Sequence, residues 1–233
     1  MARNILVIGG GSGIGRAIVE ELVENGDNVY AASQNIKEAN LPSSVTTISF
    51  NVLEDEKLTD LPDELHGLAY CPGSISLKPF KSFSIDKLRQ ELELNYLGAV
   101  KVLHQVIDKL KKSKTGSVVF FSTVAVQTGL PYHSAVSASK GAIEGLTRSL
   151  AAEYAPNVRF NAIAPSLTDT PLASNLLSND KKREANAERH PMKKVGSPED
   201  IANMATYLLG DKGSWITGQI ITIDGGMGSL RSL

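Results

Sequence analysis

The seven residues from Gly9 to Gly15, Gly-Gly-Gly-Ser-Gly-Ile-Gly, constrain this chain more than any other stretch. They come after an apolar run, Ile5-Leu6-Val7-Ile8, and open a helical pattern of Ile14, Ala17, Ile18, Glu21 and Leu22. A strand, a tight glycine turn and a helix N-terminus in this order make a cradle for a pyrophosphate. The first N–H groups of the helix lack carbonyl partners, and the helix dipole favours negative charge there. Gly9 turns without a β-carbon, Gly13 lets the backbone approach the phosphates, and Gly15 lets helix and sheet pack closely. The group expected in this cradle is a dinucleotide, with Ile14 inside the turn beside it.

Beyond the turn, strand and helix patterns alternate. Strands are expected over residues 3–8, 28–32, 45–50, 67–71, 117–121, 158–163 and 220–223. Helices are expected over 14–24, 85–112, 134–154 and 198–209. Such alternation calls for a doubly wound parallel sheet with right-handed crossovers and helices on both faces. A chain of 233 residues supports one substantial core, so a single domain, 1–233, is the expectation. The stretch Pro165–Pro191, with its lid segment 166–191, is polar, carries two prolines near its start and a charged run at 180–184, and comes after a strand end, where such sheets bind ligands. It reads as a mobile substrate lid, with a surface insertion as the alternative.

Formal net charge is −1, from 24 basic and 25 acidic residues, which gives no global pull toward nucleic acid or membrane. The cluster Lys181-Lys182-Arg183, continued by Arg189, Lys193 and Lys194, reads as a solvated face, with a role near a phosphate-bearing ligand as the alternative. The one cysteine, Cys71, cannot form a disulfide within the chain and suits a reducing cytoplasm. No apolar run reaches transmembrane length, and Met1-Ala2-Arg3-Asn4 passes directly into the first strand, so no signal peptide is expected. Histidines 66, 104, 133 and 190 form no local metal-ligand pattern, and no metal is expected.

The end of the second strand selects the dinucleotide, because an acid there binds both ribose hydroxyls of NAD and repels the 2′-phosphate of NADP. This chain has Ala32-Ser33-Gln34-Asn35, with no acid. No arginine comes next either, although Arg16 lies just beyond the glycine turn and can approach a phosphate. Ser33 and Gln34 can donate hydrogen bonds, and the choice leans toward NADP over NAD. Asn51, after the third strand, either bonds adenine or caps its own turn.

Across essentially its whole length the chain resembles the short-chain dehydrogenase/reductase family. The resemblance rests on the glycine turn and on Asn95, where the family has a mid-helix asparagine. It rests also on Ser122-Thr123-Val124-Ala125, Val136-Ser137-Ala138-Ser139-Lys140, Asn161-Ala162-Ile163-Ala164-Pro165 with Thr170, Trp215-Ile216-Thr217-Gly218 and Asp224-Gly225-Gly226. It implies a Rossmann fold, a three-layer α/β/α sandwich. It implies hydride transfer between a nicotinamide and a carbonyl or secondary alcohol. By the resemblance Lys140 binds the nicotinamide ribose, Thr123 stands for the serine that bonds the substrate oxygen, and Asn95 holds a water in the proton path. Gly73, Pro165 and Thr170 flank the cofactor. A homodimer or homotetramer is implied, associating through the two long helices. The second of these carries Ala138, Gly141, Ala142 and Gly145, small residues that permit close packing or equally face the sheet.

The departure falls at the acid–base centre. The family's tyrosine stands four residues before the lysine, and here that position is Val136. The loop that is Asn-Asn-Ala-Gly in the family is Tyr70-Cys71-Pro72-Gly73, and Ser166 replaces a glycine after Pro165. Tyr132, four residues before Val136, is one substitute donor if the helix begins early enough, with a pocket-lining aromatic as its plainer role. His133 is another, with capping as its plainer role. Ser137 and Ser139 are weaker candidates. The sequence therefore supports an oxidoreductase with an atypical proton donor. A non-catalytic dinucleotide-binding homologue, serving as sensor or structural partner, is the alternative, and elimination or isomerisation a third possibility.

Overall fold

The central strands carry apolar residues without alternation, as a sheet covered on both faces requires. In the computed structural model, which describes residues 2–230 and so leaves Met1 outside, every residue of β4 (Gly67–Tyr70) and β5 (Gly116–Phe121) is buried. With β1 (Asn4–Ile8), β2 (Asn28–Ser33), β3 (Thr46–Ser49), β6 (Val158–Pro165) and β7 (Ile220–Ile223) they form one parallel sheet in the order β3-β2-β1-β4-β5-β6-β7. The order reverses between β1 and β4, which makes the carboxyl ends of those strands the crevice where ligands bind.

Two hydrophobic clusters hold the layers. On one face α1 (Gly13–Glu24) and α7 (Pro198–Leu209) bring Ile18, Leu22, Ile201 and Leu208 onto Ile5, Val7 and Val119. On the other, α3 (Gly98–Lys112) and α5 (Ser134–Tyr154) bring Val102, Val106 and Ile143 onto Leu6, Leu68 and Phe120. The expected fold class, a doubly wound α/β/α sandwich, is the observed one. Helix α7 starts where its sequence says it must: Ser197 accepts from the Asp200 N–H, Asp200 accepts from the Ser197 N–H, and Pro198 fills the first turn.

Two elements differ from expectation. The helix expected as one piece over 85–112 is α2 (Ile85–Leu92), a π-helical turn Glu93–Leu97, and α3. Hydrophobic periodicity does not register a single wide turn, because the apolar stripe resumes after it. The segment 166–191 carries a 3₁₀ stretch, Pro171–Leu177, and α6 (Asp180–Ala187), with the Asn179 side chain accepting from the Lys182 N–H. Its polarity hides three anchors, Ala173, Leu177 and His190, which are buried. A short helix α4 (Ala125–Thr128) comes after β5. No helix among the described residues is long and apolar enough to cross a membrane.

Candidate active site

The turn after β1 has the geometry its glycines promise. Gly9 and Gly13 lie at φ +78° and +51°, in the left-handed region that disfavours side chains. A β-carbon on Gly15 would overlap the Gly9 carbonyl. Ser12 stands at the N-cap of α1 but its side chain does not cap the helix, and no acid occupies the first turn. The first amides of α1 are thus left to an anion from outside. They open on a groove of about 530 Å³ at the switch point, which Gly9, Gly13, Ile14, Gly15, Ser33 and Asn51 line, together with Gly73 and Thr170.

Side chains around this groove divide into free and committed. Asn51 accepts from the Leu53 N–H at 3.1 Å, so its carboxamide oxygen holds its own turn while the residue lines the groove. Arg16, read from sequence as able to approach a phosphate, is held elsewhere. Its Nε donates to Glu20 at 2.8 Å and its Nη1 to the Ala39 carbonyl at 2.9 Å. The basic cluster of 181–194 is similarly occupied by exposed ion pairs, Arg183 with Asp169, Lys193 with Glu188 and Lys194 with Asp200. These three lie on the solvated face expected of the cluster, whereas Arg189 of the same cluster lines a cavity wall.

A second cavity, of about 240 Å³, adjoins the groove and shares Ile14, Cys71, Gly73, Thr170 and Leu172 with it. Thr123, Val136, Lys140, Pro165, Ser166 and His190 lie on its wall, with Ile75, Leu77, Leu130 and Leu176 supplying an apolar lining. Thr123 is the hydroxyl available at the end of β5. Its neighbour Ser122 is buried and donates to Glu144 at 2.7 Å. Val136, one turn before Lys140 on α5, presents only methyl groups.

Lys140 and Asn95 both lie against Gly73. A methyl group on Gly73 would lie 3.4 Å from Lys140 Nζ and 3.4 Å from Asn95 Oδ1. Asn95 sits in the π-helical turn and is fully buried; its Nδ2 donates to the Glu91 carbonyl at 2.9 Å and to Ser74 Oγ at 3.0 Å. Asn95 Oδ1 is the one buried side-chain polar atom among the described residues without a partner. An unpaired buried oxygen asks for a donor, such as a water. Burial pushes the Lys140 amine down to about 8, against the pull of the Glu91 carboxylate. Burial also pushes the Cys71 thiol up to about 12, so Cys71 stands in both cavities as a neutral group. Glu91 itself is buried, yet hydrogen bonds from Ser74, Ser76 and Lys87 outweigh that burial and hold its carboxyl below the usual range. Sequence reading missed Glu91 and Ser74, because a mid-helix glutamate and a loop serine carry no local signal of being paired.

The candidate substitutes for the tyrosine fare differently. Tyr132 is 61% exposed, and it does not line the cavity. It lies before α5 in a left-handed conformation, φ +68°, so the helical spacing that would align it with Val136 never begins. His133 does line the cavity, and its Nδ1 lies 2.7 Å from the Pro131 carbonyl. Ser137 and Ser139 spend their hydroxyls on the carbonyls of Ala125 and Val136.

A doubly wound sheet with a glycine cradle at its switch point, and beside it a cavity holding a hydroxyl and a buried lysine, has the architecture of a nicotinamide-dependent oxidoreductase. The family model described as enoyl-(acyl carrier protein) reductase matches residues 9–228. A tropinone reductase homolog of Arabidopsis thaliana is 33% identical over 241 residues, 96% of this chain and 91% of that one. The 2,5-dichloro-2,5-cyclohexadiene-1,4-diol dehydrogenase of Sphingobium indicum is 30% identical over 98% of each chain. Among solved structures, the TT0495 protein from Thermus thermophilus has a TM-score of 0.89 at 32% identity, over 97% of this chain and 99% of that one. The chain belongs to the short-chain dehydrogenase/reductase family, NAD(P)-dependent oxidoreductases that move hydride between a nicotinamide and a carbonyl or alcohol carbon.

Proposed function

We propose that this chain, folded as a single domain, oxidises or reduces a compact apolar secondary alcohol or ketone with NADP(H), using a proton donor other than tyrosine. The observation that carries the reading is the placement of Lys140 Nζ and Asn95 Oδ1 against Gly73, at the junction between the glycine-lined groove and the Thr123 cavity. The dinucleotide fits what is there: left-handed glycines, uncapped helix amides, and a lysine amine on the wall of the adjoining cavity. Lys140 holds the ribose side of the nicotinamide, Asn95 holds a water beside it, Gly73, Pro165 and Thr170 flank the cofactor, and Thr123 donates to the substrate oxygen. Bound there, the nicotinamide supplies or accepts the hydride. The segment 166–191 acts as the lid over the substrate. The apolar lining favours a hydrocarbon body on the substrate, with Arg189 on the same wall as a hold for a polar edge.

The cofactor preference is testable. Ser33 closes β2 without a charge and lines the groove. Fluorescence titration should show NADPH binding more tightly than NADH. Ser33→Asp should reverse the order, weakening NADPH by about tenfold or more, because a carboxylate placed against a phosphate is repelled. Equal effects on both cofactors would remove Ser33 from the ribose site.

A non-catalytic reading draws on one observation, the methyl surface of Val136 where a phenol is usual. Tight NADPH binding without turnover, persisting in Val136→Tyr, would favour it.

The chain is also read as a homo-oligomer. Two of the small residues of α5, Ala138 and Gly145, are exposed, Gly141 and Ala142 are half-buried, and a β-carbon on Gly145 would meet nothing within 4 Å. Gly145→Arg should lower the mass measured by light scattering to that of one chain while leaving the unfolding temperature of that chain near its former value.

A further inference from the structure

One paired set of polar side chains in the substrate cavity has no part in the hydride-transfer scheme. Ser166 Oγ lies 2.8 Å from His190 Nε2, and His190 Nδ1 lies 2.8 Å from the Asn186 carbonyl oxygen. A carbonyl only accepts, so Nδ1 carries a proton; with the second nitrogen bare, Nε2 offers its lone pair to the serine hydroxyl. Met227 Sδ, 3.0 Å from the same hydroxyl, is a far weaker acceptor than an imidazole nitrogen. His190 is 3% exposed and fixed at both nitrogens, yet it and Ser166 both reach the cavity wall that carries Thr123 and Val136.

The backbone explains how Ser166 comes to stand near Thr123. Thr123 lies just after β5 and Ser166 just after β6; the strands are neighbours, and the Val124 N–H donates to the Pro165 carbonyl at 3.2 Å. Two hydroxyls therefore occupy adjacent strand ends on one side of an apolar chamber. Ser166 stands where the family resemblance has a glycine, so the cavity gains a hydroxyl here and lacks one at Val136. Among the other candidates, Tyr132 is turned to solvent and Ser137 and Ser139 are committed to carbonyls, while Lys140, on the cavity wall, is the residue assigned to the nicotinamide ribose.

We propose that Ser166 and His190 form the proton relay of this site, a role that rests on the hydride-transfer reading. In the direction of alcohol oxidation, the substrate hydroxyl gives its proton to Ser166 Oγ as the serine proton passes to His190 Nε2. The carbinol C–H bond breaks and its electron pair leaves with hydrogen as hydride to the oxidised nicotinamide dinucleotide, while the C=O bond forms. His190 ends as an imidazolium, with Nδ1–H still donating to Asn186. Reduction runs the same steps backward, His190 recharging Ser166 as the serine proton goes to the carbonyl oxygen. Ser166 is the group that touches substrate; His190 acts through it.

The test uses the whole chain loaded with NADP(H), with cyclohexanol and cyclohexanone as probes. Ser166→Ala and His190→Ala should each lower kcat by about 10²–10⁴-fold, the range general acid–base groups supply, with NADPH affinity and KM within about twofold. Imidazole added to the buffer should restore turnover to His190→Ala but not to Ser166→Ala, a split that a merely structural histidine would not produce. Nitrogen-15 spectra of the NADP-bound protein should show His190 protonated at Nδ1, with the Nε2 resonance shifting in Ser166→Ala; Ser166→Ala deletes one oxygen and keeps the fold. Retention of more than half of wild-type turnover by either variant, a proton on Nε2 instead of Nδ1, or loss of turnover in His133→Ala while His190→Ala stays active would overturn the relay and leave the oxidoreductase reading in place. A wild-type protein that binds NADPH and turns over neither probe overturns both.

Discussion

A methyl group at Gly15 is expected to abolish dinucleotide binding. The new β-carbon would overlap the Gly9 carbonyl and lie 3.3 Å from Cys71 Cβ. The first of these is backbone, so no side-chain rotation relieves the clash. The turn has little freedom to yield, because Gly9 and Gly13 already sit in the left-handed region at φ +78° and +51°. Overpacking of this kind costs about 1–3 kcal/mol, and more where backbone must move. Movement here also displaces the first amides of α1, the groups that face the groove. Gly15→Ala should therefore lower the unfolding temperature by several degrees and raise the Kd for NADPH by about a hundredfold or more. Wild-type affinity in fluorescence titration would show that this turn is not where the pyrophosphate binds.

Lys140→Met is expected to do two opposite things. Turnover should fall by about a hundredfold or more, because the amine beside Gly73 is lost while the stem is kept. Stability at neutral pH should rise. Burial pushes the Lys140 amine down to about 8 from the ordinary 10.5, so the folded state carries the charged form at a penalty. Between those two values the unfolded chain binds a proton that the folded chain does not, so wild-type stability climbs as pH rises through that window. Below about 8 the penalty is present in full. Denaturant unfolding at pH 7 should find the methionine variant more stable by about 1–3 kcal/mol, with the gap closing toward pH 10. A methionine variant less stable than wild type at pH 7 would mean that the attraction of the Glu91 carboxylate for the Lys140 charge outweighs its burial.

The two predictions draw on different kinds of information. Gly15 announced itself in the sequence, because a glycine turn between an apolar strand and an amphipathic helix is a local device whose chemistry is written within seven consecutive residues. Lys140 did so only through its resemblance; a lone lysine among Ala138, Ser139 and Gly141 carries no local mark of being buried. Val136 could be named as the missing phenol but not shown to wall a cavity. Tyr132 looked aligned with it on paper, and the alignment fails because α5 begins at Ser134, two residues too late. The π-helical turn around Asn95 left no trace in the apolar periodicity that spans it.

Periodicity, capping and the backbone freedom of glycine were enough to give the order and type of the elements, the class of the sheet and the phosphate cradle at its first turn. Each of these acts through residues close together in the chain. Which side chains are free to act came only with folding. Ser122, Arg16 and Ser139 are spent on Glu144, Glu20 and Val136, while Asn95 Oδ1 is left without a partner and Ser166 finds His190 across 24 residues. Hydrogen-bond partnership and burial are set by which strand ends and helices meet, and the pairing of β5 with β6 brings together groups whose separation along the chain gives no sign of it.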